Sequence, residues 1–425
     1  MQKKLLTMAV AGALAAPCIA LAQSSVEVYG TINMSFGKFK YSEAFAPNTG
    51  GSISKWDVAN HASNYGLRGR ESLGGGLTGW FQIEQNAPLE RSNNISITPA
   101  SRNSAVGLQG GFGNLFLGQW TTPWADLDAL WGIGTVGGWG PVTSIIGRRE
   151  TSGTAPNYNC VNGHLSGAPA TTPPVCDAVE AGGGVGHPFW RRVSNAVFYQ
   201  SPVMGGAQVK LAYQTNEGKA TAPTAVTADP SLWSGSVQWA GMGGRARVGL
   251  AIDRHKDFTT PGMTDTGWAV KGGFNAGVVD VGLALERMTY KTPAGDCKAS
   301  QWGVGLAVPV GTGAVRASYA RAKDIEGPFT GAVATPVGAP ATGGCGAVPT
   351  AASPSNDNGA KTWNVGYEHR FSKRTSVGVG YAKIDNDPGA VFTWTGAPPN
   401  QGGASNTPLA GSDPSTFFVN ITHRF

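Results

Sequence analysis

Charge is scarce in this chain: Asp, Glu, Lys and Arg make up 14% of 425 residues, against ~25% in an ordinary soluble domain. The formal net charge of +6 is too mild and too spread out to be a nucleic-acid footprint, so no nucleic-acid partner is expected. Long apolar runs are missing too. Beyond the first residues no stretch offers the ~18 consecutive apolar residues of a membrane helix, which excludes a helical membrane protein. The five cysteines show no C-x-x-C or Cys/His ligand spacing, and the six histidines no H-E-x-x-H. G-x-S-x-G is also absent, so neither a metal site nor a common hydrolase signature is present, and no cofactor is expected. Two fragments imitate motifs. Gly132-Ile133-Gly134-Thr135-Val136-Gly137 fits G-x-G-x-x-G, but no strand–helix unit surrounds it. Asp385-Asn386-Asp387-Pro388-Gly389 lacks most calcium-loop ligands and reads as a solvent turn.

The chain is rich in glycine and in short alternating segments. Its 63 glycines are about twice the average share, which points to turns and close backbone packing. Lys3 and Lys4, a short apolar run from Leu5 and the Ala20-Leu21-Ala22 site predict a secretory signal peptide over residues 1–22. The remaining domain, 23–425, is then exported, where the four cysteines Cys160, Cys176, Cys297 and Cys345 are suited to two disulfides. Four thiols allow three pairings.

Strand periodicity starts at Val26, with Val26, Val28, Ile32, Met34 and Phe36 alternating with polar residues. A polar loop is expected from there to about His61. Tight turns then separate paired strands: Leu73-Gly74-Gly75-Gly76-Leu77, Gly110-Gly111-Phe112-Gly113-Asn114, Met204-Gly205-Gly206, Gly241-Met242-Gly243-Gly244, Asn275-Ala276-Gly277, Gly311-Thr312-Gly313 and Ser372-Lys373-Arg374. These seven hairpins, the first strand and a last strand over Ser415 to Phe425 count to sixteen. An even count puts both termini on one side. Short turns gather on that side and longer connections on the other, which is how outer-membrane barrels sort their loops. The last strand, with Phe417, Val419, Ile421 and Phe425 on one face and Asn420, Thr422 and Arg424 on the other, finds its partner in the first. Closure leaves no edge in lipid.

Several of these motifs are similar to those of general porins of Gram-negative bacteria, of the β-proteobacterial type. They are Ser25-Val26-Glu27-Val28-Tyr29-Gly30, the hairpin from Gly66-Leu67-Arg68-Gly69 to Phe81-Gln82-Ile83-Glu84, Val106 through Gly111-Phe112-Gly113 to Gly118, Asn195 to Pro202, and Phe425. The resemblance implies an all-β, 16-stranded antiparallel transmembrane β-barrel with an inward-folded third loop, about 121–187. It implies a homotrimer in the outer membrane, in contact with the bilayer and lipopolysaccharide, passing small hydrophilic solutes and ions. Phe425 would be the assembly signal read by the barrel assembly machinery. The family often has Arg at the positions of Gln119 and Phe198, so the resemblance implies weak anion selectivity at most here.

A diffusion pore works through the charge and width of its constriction. Inward strand phases give Arg68, Arg70, Glu84, Lys210, Arg245, Arg247 and Arg316, with Arg102 near a strand top; Arg68 and Lys210 are expected on the constriction wall near mid-height. The third loop contributes Asp126, Asp128, Arg148 and Arg149, with Arg192 at the strand that follows. Carboxylates facing wall cations would set a transverse field. Trp302 is expected in a lipid-facing aromatic girdle and Trp80 in the lumen. Cys160 and Cys176 fall in the third loop, and Cys297 and Cys345 in the sixth and seventh, which predicts the disulfides 160–176 and 297–345. Two rival classes stand beside the pore: an outer-membrane β-barrel enzyme, protease or lipase, and a secreted glycan-binding β-sandwich.

Overall fold

The structure, a computed structural model, describes residues 25–42, 52–90, 99–146, 189–215, 229–258, 262–292, 295–328, 357–390, 392–394 and 411–425. Among them lie seventeen strand segments. They are β1 (Ser25–Ser42), β2 (Ile53–Asn60), β3 (Asn64–Gly74), β4 (Leu77–Asn86), β5 (Ser104–Gly110), β6 (Gly113–Thr121), β7 (Arg192–Gln200), β8 (Ala207–Gln214) and β9 (Ser231–Gly241). There follow β10 (Ala246–Lys256), β11 (Thr264–Asn275), β12 (Asp280–Thr292), β13 (Gly295–Val310), β14 (Gly313–Ala322), β15 (Ala360–Arg370), β16 (Thr375–Asn386) and β17 (Asp413–Arg424). All pairings are antiparallel, and β17 pairs back onto β1 from Thr31↔Arg424 to Ser42↔Asp413. Below this register the main chains of Gly30 and Phe425 exchange two hydrogen bonds of 3.1 Å. This pairing of the last strand with the first closes the sheet on itself, as a sheet in lipid requires, and the β-sandwich reading is thereby overturned.

Seventeen segments make sixteen staves, because β2 and β3 share one. β2 pairs with the upper part of β1 (Met34↔Asn60 to Tyr41↔Ile53) and β3 with its lower part (Ser25↔Arg70 to Thr31↔Asn64). Between them Ala62 has φ +53, and Ser63 Oγ accepts from Asn33 N–H at 2.9 Å. This corrects two sequence expectations. The first strand runs six residues past Phe36, and the expected polar loop to His61 is strand from Ile53 onward. Lys38, Lys40, Lys55 and Asp57 blur the alternation there, since a barrel wall that rises beyond the hydrocarbon needs no apolar outer face.

The outer face is apolar and exposed, as at Val248, Leu250 and Ile252 on β10 and Phe417, Val419 and Ile421 on β17. Against it stand outward aromatic pairs, Trp302 with Tyr319 (ring centroids 5.4 Å) and Trp363 with Tyr381 (5.1 Å). The inner face is buried, because a segment of chain lies along it. A third correction concerns the connection between β12 and β13. It was expected to be a long loop, but the strands run on until Thr292 pairs with Gly295. Cys297 therefore sits in β13, fully buried opposite Tyr290, rather than in a loop.

Candidate pore constriction

Residues 122–146 follow β6 and turn back onto the inner wall. Thr122 caps the first helical turn, α1 (Pro123–Asp126), by accepting from Ala125 N–H, and Pro123 occupies a position where its missing N–H costs nothing. A second turn, α2 (Asp128–Trp131), and a 3-10 turn at Gly132–Gly134 continue the segment. Its anchors come from successive staves. Trp124 Nε1 donates to Glu286 Oε1 at 3.3 Å, and Arg247 Nε donates to the Leu130 carbonyl at 2.7 Å. Arg316 donates to the Ile133 carbonyl, and Asn364 Nδ2 to the Trp139 carbonyl at 2.8 Å. Trp139 Nε1 reaches Ser35 Oγ at 3.2 Å, within an aromatic nest of Phe39, His61, Trp394 and Phe418. The segment thus follows the wall from β9 round to β1.

Close approach explains the glycines of the G-x-G-x-x-G match. A Cβ on Gly134 would lie 2.2 Å from the Ala317 carbonyl oxygen and 2.7 Å from the Gly305 Cα, and Gly137 has φ +62. The motif packs loop onto wall.

The electrostatic centre of the segment is Asp128. Its Oδ1 lies 2.5 Å from Lys271 Nζ and accepts from Trp131 Nε1 at 3.1 Å, while Oδ2 accepts from Trp190 Nε1 at 2.6 Å. Lys271 also meets Glu286 Oε1 at 2.7 Å, and neither of those side chains reaches solvent. Asp126 Oδ2 lies 3.0 Å from Lys210 Nζ, and its Oδ1 accepts from Thr121 Oγ1 at 3.0 Å. Four further inward cations are paired as well: Arg68 bidentate to Glu27 (2.9 Å twice), Arg102 to Glu84 (2.5 Å), Arg247 to Asp280 (2.7 Å) and Arg316 to Glu368 (2.8 Å). Bidentate and buried pairs hold geometry firmly, and each cancels most of the field that its cation would throw across the lumen.

A family model described as Gram-negative porin matches residues 7–389. The chain belongs to the Gram-negative porin family. Among curated relatives the porin is 26% identical over 326 residues to outer membrane porin protein 32 of Delftia acidovorans, covering 75% of this chain and 80% of that one. A shorter stretch of 112 residues, 25% of this chain and 30% of the other, is 32% identical to the major outer membrane protein P.IB of Neisseria gonorrhoeae. In fold it is similar to an anion-selective porin from Comamonas acidovorans, with a TM-score of 0.60, 20% identity, and coverage of 95% and 100% of the two chains. OmpT of Vibrio cholerae, solved in a trimer form, follows at a TM-score of 0.55, 14% identity and coverage of 95% and 99%.

The residues singled out in the sequence therefore fall into groups. Lys210 and Asp126 meet each other; Asp128 meets Lys271 and not Lys210. Arg102 and Glu84 form one pair low on exposure, and Arg192 Nε donates to Asn103 Oδ1 at 2.7 Å. Arg68 stays away from the inserted segment, on the stave wall with Glu27, half exposed and with its guanidinium 4.8 Å from the Tyr29 ring. Arg245, expected in the lumen, precedes β10 in a turn and lies over the exposed Phe274 ring at 5.6 Å. Arg148, Arg149, Cys160, Cys176 and Cys345 lie outside the described residues, as do most of 121–187 and the signal segment. Cys297 is disulfide-bonded. Phe198, where the family often has Arg, stacks on Phe116 at 4.9 Å, and Trp80 joins the same inner-wall cluster. Lys271 and Glu286 were missed, although both fall in inward phase on β11 and β12; only the fold brings Lys271 between Glu286 and Asp128.

Proposed function

We propose that the porin is a passive diffusion channel of weak anion preference, opening through a trimer of such barrels. The observation that carries this reading is the pairing of the inward cations: carboxylates neutralise the wall beside the inserted segment, so a small positive surplus sets the preference. The Comamonas acidovorans protein of the same fold is called anion-selective, and the Vibrio cholerae one has a trimer form; both support the reading for this chain. Lipopolysaccharide and bilayer lipid surround the outer face, the barrel assembly machinery reads Phe425, and residues 1–22 are removed on export. Cys297 pairs with Cys345, and Cys160 with Cys176. The inward polar groups serve as ion pairs and loop anchors, which favours a channel over a β-barrel protease or lipase.

Planar-bilayer recording in a potassium chloride gradient tests the reading. Stepwise conductance in threes with a reversal potential modestly on the anion side is the expected result. A reversal potential on the cation side, or no steps from heat-modifiable folded protein, overturns it.

A further inference from the structure

Beneath the inserted segment, at the short-turn end of the barrel, lies a cavity of about 620 Å³. Its roof is Thr135 and Gly137 of the inserted segment, and its floor is the Ser372-Lys373-Arg374 turn. Five cations line it, Arg316, Arg370, Lys373, Arg374 and Arg424, against the single carboxylate of Glu368. That carboxylate is already occupied from both sides, by Arg316 at 2.8 Å and by Arg370 at 3.6 Å. Lys373, Arg374 and Arg424 form no ion pair among the described residues. Glu27 feels the field of Arg374, yet both its oxygens are held by Arg68. Between the cations stand neutral hydrogen-bonding groups, including Thr31, Asn33 and Thr422. Asn33 Oδ1 accepts from Asn420 Nδ2 at 2.6 Å and from Thr422 Oγ1 at 3.2 Å, so the amide is held in one orientation.

This arrangement differs in kind from the wall above it. There Lys210, Arg102 and Arg247 each have their own carboxylate, whereas here three cations converge on one concavity without any. Like charges held together in a partly enclosed site repel one another, and a counter-anion relieves all of them at once. A monovalent anion relieves one and leaves easily. A compact anion with two or more carboxylate or phosphate groups meets several together, and spreads its remaining acceptors over the hydroxyl and amide groups.

We infer that this cavity is a retention site for compact polyvalent anions, entered from the short-turn mouth of the pore. The inference rests on the anion-preferring channel above and adds a ligand class and a side to it. In the family topology short turns face the periplasm, so the site would be loaded from within the cell envelope. Its roof is the anchored segment, and an anion held there stands in the way of current.

The test uses the full trimer in planar bilayers, with tricarballylate or pyrophosphate added to one side at a time under constant potassium chloride. Orientation is assigned with Lys373→Cys and a thiol-reactive cation, whose access marks the short-turn side. Both probes are expected to block from that side at about tenfold lower concentration than from the other. Block by one probe only narrows the class to carboxylates or to phosphates and still supports the site. Lys373→Gln combined with Arg424→Gln should weaken block about tenfold, at roughly two- to fivefold per removed charge. Lys361→Gln, which removes one charge from the exposed outer face, should leave it unchanged, whereas Lys373→Gln alone should weaken it. Equal block from both sides, block untouched by the double variant, or no block by either probe would overturn the site. Reversal potentials measured without the probes separate the two ideas: an anion-side reversal with no side-dependent block sinks the retention site alone, and a cation-side reversal sinks the selectivity reading.

Discussion

Replacing Lys271 with methionine removes the cation that holds the inserted segment to the β11–β12 wall. Asp128 Oδ1 and Glu286 Oε1 lie 2.5 and 2.7 Å from Lys271 Nζ, so with both arms laid end to end the oxygens are at most about 5.2 Å apart. Without the ammonium, two carboxylates face each other across that gap. At an effective dielectric constant of about 20 their repulsion is ~3 kcal/mol, in line with the ~3–5 kcal/mol lost when one partner of a buried pair is removed. Trp131, Trp190 and Trp124 still donate to the two carboxylates, so the segment should loosen and not leave the lumen. Urea unfolding of the Lys271→Met trimer in detergent should therefore register a loss of about 3 kcal/mol, and bilayer recordings should gain open-channel noise. Adding Glu286→Gln removes one charge of the clashing pair, and should restore most of the stability. If Lys271→Met leaves both midpoint and noise as in the parent, or if the second change restores nothing, the buried triad is not what holds the loop.

Three further outcomes follow from single contacts. Arg68→Gln takes from Glu27 its bidentate partner on the inner wall and leaves only the more distant fields of Arg374 and Arg70, so reversal potentials should move toward cations, and Glu27→Gln in the same chain should bring them back; no movement in the single variant would remove Arg68 from the conduction path. Glu90, beyond β4, has its carboxyl pushed up to about 7, first by burial and then by the nearby Asp57. Its native pKa lies above the unfolded one, so the contribution of this loop to stability is intact below about pH 4.5 and is lost as pH rises toward 7 and beyond. The protection factor of the amides around Asn60, whose N–H donates to Glu90 Oε2 at 2.9 Å, should fall across that window in the parent and stay flat in Glu90→Gln. Deleting Phe425 removes the paired main-chain bonds to Gly30, and should lower the yield of heat-modifiable trimer several-fold while the trimers that do form keep the parent conductance.

Much of the barrel was legible because strand alternation and turn chemistry are local. The triple-glycine turn announces itself through φ values of +85, +58 and +79 that few other residues adopt, and the period of two separates Phe417, Val419 and Ile421 from Asn420 without any knowledge of neighbours. Phe418 shows the limit of that logic. It falls in inward phase, where a polar residue is the rule, and is explained only by Trp139 lying against it at 6.2 Å. The same holds for Cys297, which reads as a loop cysteine until β12 and β13 are seen to run past the expected turn.

The sequence by itself determined the number of staves and the face that each strand turns to lipid, since these depend on residues one or two positions apart, and the even count then called for closure of the last strand on the first. Tertiary structure decided which lumen charges survive. Glu27 and Arg68 are 41 positions apart and Asp128 and Lys271 are 143 apart, and no local pattern says that such residues will meet. A charge acts across the lumen only if its neighbours leave it unpaired, so the pairing that turns a ring of arginines into a nearly neutral wall, and leaves the short-turn mouth basic, belongs to the fold alone.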